Sequence, residues 1–164
     1  MNDLAALTRL LENLIRLGTI AAVDHGDPAQ QKPPRVRVQT GALLTGWLPW
    51  LTPRAGADRE WNPPTVGEQV LLLSPSGQLA NGVAITGLFS DLIPANGDRA
   101  ALHRSSYRDG AVIEYDSAAH ALTASIPGTA DITTSGDITL TSGGNISITA
   151  SGNFAVTAAR VDLN

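Results

Sequence analysis

The sequence predicts a mainly β protein in three parts: a short N-terminal helix, a small closed barrel, and a C-terminal repeat that winds together with other copies of the chain. Three observations carry this expectation. Leucines recur at three- and four-residue steps before Gly18; short β-prone runs broken by Pro, Gly and Asp or Asn fill residues 18 to 90; and an eight-residue pattern occupies the last part of the chain.

The 164 residues leave room for one ordinary domain or two small ones. Hydrophobic residues make up 43%, which argues against disorder as the general state, while aromatic residues make up only 4%, so packing rests on aliphatic side chains and close backbone contacts. The absence of cysteine removes disulfides, thiolate metal sites and thiol nucleophiles. A net charge of -4 argues against a general phosphate-binding surface, so nucleic acid is not an expected partner. No apolar run approaches the roughly 20 residues that span a bilayer, and Asp3, Arg9, Glu12 and Arg16 interrupt the leucine-rich start. That start reads as neither a signal peptide nor an anchor.

Residues 1–17 form the helical part. Leu4, Leu7, Leu11, Leu14 and Ile15 fall on one face, with Asn2 or Asp3 at its start and Gly18 at its end. So wide an apolar stripe on so short a helix needs a cover, supplied either by its own domain or by a partner subunit. Residues 18–90 carry the runs GTIAAVD, RVRVQTGALLTGWLPWL, VGEQVLLLSP and GVAITGLF. RVRVQT alternates as a half-buried strand does, QVLLL reads as buried on both faces, and SPSGQLANG connects a hairpin. Four or five short strands in this span suit a small barrel of the OB type, and an SH3-like barrel would read almost the same. Residues 91–130 follow as a polar linker to about 110 and then a β-hairpin, DGAVIEYD and ALTASIPG, around the tip SAAH.

Residues 131–164 repeat with a period of eight: GDITLTSG, GNISITAS, GNFAVTAA and a broken unit RVDLN. Each unit offers Gly, Asp or Asn, then apolar, small polar, apolar. Glycine supplies turn geometry, and two apolar residues two apart share one face of a strand. The stripe so formed is Ile132, Ile138, Leu140, Ile146, Ile148, Phe154, Val156, Val161 and Leu163. Burying each such side chain gains about 1.5 to 3 kcal/mol, whereas ordering each residue costs about 1.5 kcal/mol. Sparse apolar pairs therefore cannot order the segment unless backbone pairing is also complete. One copy with open edges cannot supply that pairing. A solenoid needs longer rungs, so units this short favour several copies wound about a common core, and the three-fold version is a slender prism without free edges. A calcium-binding β-roll is disfavoured because GGNISITAS lacks the acidic ligand of that pattern; a Thr/Ser-rich adhesin stalk reads similarly, and low-complexity disorder fits poorly with such regular pairs.

Catalytic signatures are weak. Glu114 and Asp116 lie on one hairpin face, where solvated carboxylates are the plain reading, and no cleft is indicated between them. About 45 residues between the barrel and the first octad at 136 leave too little chain for an inserted hydrolase. PSG at 75 to 77 is not a nucleophile elbow, and no phosphate loop or dinucleotide fingerprint occurs. His25, His103 and His120 fall in turn-like segments without partners at metal-ligand spacing. Trp47, Trp50 and Trp61 suit barrel core or a subunit contact better than base stacking.

VGEQVLLLSPSGQLANGVAITGLFS at 66–90, YRDGAVIEYDSAAHALTASIPG at 107–128, NLIRLGTIAAVD at 13–24 and the octads together resemble the phage baseplate assembly protein V family, the central spikes of contractile tails. The resemblance implies a homotrimer with an OB-fold collar docked in a baseplate hub and an intertwined triple-stranded β-helix driven through the outer membrane of a target bacterium. It implies a structural, non-enzymatic protein of the virion tail baseplate, assembled in the host cytoplasm. Leu4, Leu7, Leu11, Leu14 and Ile15 are then the expected hub contact. Many members end in a His-x-His pair that holds iron; this sequence has none so spaced, so no cofactor is expected, and ions on the axis are not readable. The final unit instead suggests a separate PAAR-type tip protein contacting Val161, Leu163 and Asn164, or a longer natural chain. A type VI secretion spike that delivers effectors is the nearer alternative, disfavoured by the lack of a fused hub domain, and an OB-fold nucleic-acid binder the more distant one.

Overall fold

The structure, a computed structural model, describes residues 2 to 162. They fall into two units, one ending at Ser125 and the other beginning at Ile126.

The first unit opens with α1 (Asn2–Leu14) and passes without a break into β1 (Ile15–Asp24). The helix stops three residues before the expected end because Ile15, Arg16, Leu17 and Gly18 pair with Leu73, Leu72, Leu71 and Val70 of β4 (Gln69–Leu73). Gly18 is thus no helix cap. It sits close against β2 (Arg35–Thr40): a Cβ there would lie 2.5 Å from Val38 Cγ1 and 2.7 Å from the Gln39 carbonyl oxygen, so only glycine allows the approach.

β1 is the longest strand and the centre of a five-stranded antiparallel sheet in the order β3-β2-β1-β4-β5, with β2 at Arg35–Thr40, β3 at Leu43–Leu44 and β5 at Val83–Leu88. Its first half pairs with β4 and its second half with β2, the two ladders overlapping at Thr19 and a bulge following at Ile20/Ala22. Bulges increase local twist, and the twist curls the sheet toward closure. The segment after β3 completes the ring. Leu48 exchanges both backbone hydrogen bonds with Val36 of β2 at 2.8 Å, the Leu51 amide donates to the Ala84 carbonyl of β5 at 2.8 Å, and the Ala84 amide donates to that of Pro49 at 3.0 Å. Part of the long run at 35–51 is therefore a closing segment, and the free edges of β2 and β5 are paired through it.

Alternation sets the core as expected in β2, where Val36, Val38 and Thr40 are buried. β4 departs from expectation. It buries Val70 and Leu72 but leaves Leu71 half-buried and Leu73 exposed, the one-face pattern of a barrel wall. Ile20, Leu48 and Ala84 complete the interior, with Val23 and Trp50 packed beside it. The two buried threonines are satisfied: Thr40 Oγ1 accepts from Arg16 Nε at 3.0 Å and donates to the Leu17 carbonyl at 2.8 Å, and Thr45 Oγ1 accepts from the Val38 amide at 2.9 Å. β4 and β5 are joined by two short 3-10 turns, Pro75–Gly77 and Leu79–Asn81. Gly77, at φ +68, lies directly under the Leu10 backbone, and on this seat the helix rests.

Residues 102 to 106, expected as linker, form β6 (Leu102–Ser106), which pairs with β7 (Val112–Asp116), itself paired with β8 (Ala121–Ser125). The expected hairpin around SAAH is β7–β8. His103 is accordingly a strand residue opposite Tyr115, not a turn residue.

Candidate functional site

In the second unit the described backbone forms neither helix nor strand and bends at 127–128, 135–136, 143–144, 151–152 and 159. The spacing is eight residues each time, the period of the sequence. The octad glycines do not make these bends by left-handed geometry: none of Gly136, Gly143, Gly144 or Gly152 has a φ in the positive region, and a Cβ on any of them would meet nothing of its own chain within 4 Å. The glycines do stand at the bends, as the repeat led one to expect, but without left-handed backbone.

No described residue of this unit is buried. Ile132, Ile138, Leu140, Ile146, Ile148, Phe154 and Val156 stand between 57% and 82% exposed, an apolar series that the single chain leaves open to water. Val161 departs from it. Arg160 and Asp162 pair at 2.8 Å across it, and the residue eight positions after Phe154 is Asp162, so Val161 is one residue out of phase with the pairs before it. In an extended chain one residue of offset moves a side chain to the opposite face. The expected stripe residue Leu163 and the expected tip contact Asn164 lie outside the described residues.

The helix divides its leucines between two directions. Leu10 and Leu14 are half-buried, with Leu10 over the Gly77 turn, whereas Leu4, Leu7 and Leu11 are more than half exposed. Of the five residues expected on one docking face, three form a free stripe, Leu14 turns inward and Ile15 belongs to β1. Among the tryptophans, Trp50 flanks the core, but Trp47 and Trp61 are not core residues. Trp61 leans on Trp50 with ring centres 5.9 Å apart and on His25 at 6.2 Å, beside an open cleft of about 580 Å³ walled by Pro33, Pro49 and Arg59.

The carboxylates considered for catalysis are engaged. Arg104 Nε donates to Glu114 Oε2 at 2.6 Å, and Arg99 Nη2 donates to Asp116 Oδ2 at 2.7 Å. The Asp116 carboxyl is held below the usual aspartate range first by Arg99 and then by the Ala119 amide, and Asp24 is lowered chiefly by Lys32, 2.6 Å away. The expectation of merely solvated carboxylates is corrected to two ion pairs that tie β6 and the preceding loop to β7. Among the described residues, no three His, Asp or Glu side chains converge as metal ligands do.

A small barrel is thus followed in the chain by an exposed eight-residue repeat. Residues 16–89 match the family described as the type VI secretion system/phage-baseplate injector OB domain. The chain is 43% identical over 142 residues to the spike protein of Escherichia phage P2. That alignment takes in 85% of this chain and 64% of the P2 protein, so the chain spans a little under two thirds of the relative's length.

Proposed function

We propose that the chain is a structural, non-enzymatic spike at the centre of a contractile-tail baseplate, three copies of which wind their octads into a membrane-piercing needle. One observation carries this reading: a barrel that matches an injector OB domain is followed by a segment that bends every eight residues and exposes apolar pairs which a single chain leaves uncovered. Three copies would place those pairs inside, complete the backbone pairing between chains and leave Thr and Ser outside. Such a prism resists bending, because deformation must break many interchain bonds together. Force comes from the contracting sheath; the spike contributes stiffness and a narrow section.

The exposed stripe Leu4, Leu7 and Leu11 supports a contact with the baseplate hub, and a separate PAAR-type tip protein would meet the far end of the needle, at the outer membrane of the target. No bound cofactor is part of this reading, and the engagement of Glu114 and Asp116 by arginines supports a role without chemistry. The phage relative favours a tail spike over type VI effector delivery. Light scattering on the purified chain tests the assembly: a mass of three chains is expected, and a single-chain mass at every concentration would refute it. Binding to a purified hub protein, lost in Leu7→Asp, tests the helix; unchanged binding would remove that contact.

A further inference from the structure

We propose that the surface through which copies of this chain meet does not begin with the octads but includes one face of the β6–β8 sheet, the face that carries Ile113, Tyr115, Leu122 and Ala124. The register puts His103, Tyr115 and Leu122 in one row across the three strands and Ser105, Ile113 and Ala124 in the next, all on the same side. All six are exposed, Leu122 to 76%. The other side takes every carboxylate and guanidinium of the three strands, with Arg104 opposite Glu114 and Asp116 held by Arg99.

This segregation suits a copy of the same face. In a three-fold assembly identical residues converge where a face points at the axis, and there formal charges would set like against like. This one carries none apart from His103 when protonated.

The sequence phase names the same occupant. Apolar pairs recur at 138/140, 146/148 and 154/156. Counting back by eight gives Ala130/Ile132 and then Leu122/Ala124 on β8, and the bend at 127–128 falls eight residues before that at 135–136. β8 is thus in phase with the octads, a unit of the same repeat whose strand is already paired on one edge by β7. Resting on the reading that octads cover their apolar pairs with neighbouring copies, the extension assigns the same cover to the pair on β8.

The chain has no cysteine, so a single introduced one reports its own neighbours. Leu122→Cys, Ile146→Cys and Thr123→Cys, the last on the opposite face of β8, would each be made in the full chain, checked by circular dichroism and light scattering, and treated with a short bifunctional thiol cross-linker. Leu122→Cys and Ile146→Cys are expected to give chain-to-chain cross-links at least about tenfold faster than Thr123→Cys, a difference of about 1.4 kcal/mol in apparent barrier. An oligomer in which Ile146→Cys cross-links but Leu122→Cys is no faster than Thr123→Cys would overturn the extension and leave the octad assembly standing. A single-chain mass for the unmodified protein would overturn both.

Discussion

Replacing Ile146 by Asp tests the assembly at the middle of the repeat. Full burial of an isoleucine side chain gains about 1.5 to 3 kcal/mol. Because Ile146 is 59% exposed in the single chain, roughly 1 to 2 kcal/mol per copy remains to be gained when neighbours cover it, or about 3 to 5 kcal/mol for three. In the proposed three-fold assembly the substitution would remove that gain and set three carboxylates around one dry axis, each unpaired charge adding several kcal/mol of cost. Even the apolar part alone weakens association by at least about 100-fold. Sedimentation velocity across a concentration series should show the parent as one assembled species and the variant as single chains, while Ser147→Asp, one residue along and on the outward face, keeps the parent mass. An Ile146→Asp variant with the parent's mass and melting temperature would refute the reasoning, because no buried axis could accept those charges unnoticed.

Deleting residues 131–164 should leave a folded but weakly associated barrel, since the first unit has its own core; circular dichroism and sedimentation together check this, and loss of the β spectrum would count against an independent unit. Gly18→Ala should destabilise by about 1 to 3 kcal/mol, because the new Cβ meets Val38 and the Gln39 carbonyl; thermal melts read it, and an unchanged midpoint would show that the β1–β2 approach can relax. Asp24 and Asp116 are lowered by Lys32 and Arg99, so their pairings stabilise fully above the ordinary aspartate range near 3.9 and lose that contribution as pH falls through the lowered folded values. Acid melts should show this loss, reduced in Asp116→Asn; identical acid profiles for parent and variant would remove Asp116 from the account.

What sequence alone determined are the features whose cause is local. Val36 and Val38 announce their strand because one apolar side and one charged side alternate with the pleat, and the octads announce themselves because Gly, a polar step and an apolar pair recur at fixed spacing. The leucines of α1 show a helix for the same reason, but not where it ends, because Ile15 leaves the helical run to pair with Leu73, far along the chain. β6 was illegible: LHRSS has no apolar alternation, since its inner row is held by Arg104 against Glu114, an ion pair that only the register reveals. The closing segment at 48–51 and the division of the leucines between Gly77 and open solvent were likewise matters of tertiary structure. Periodicity is written residue by residue, whereas the choice of partner is made by groups distant in sequence that meet only once the barrel has closed.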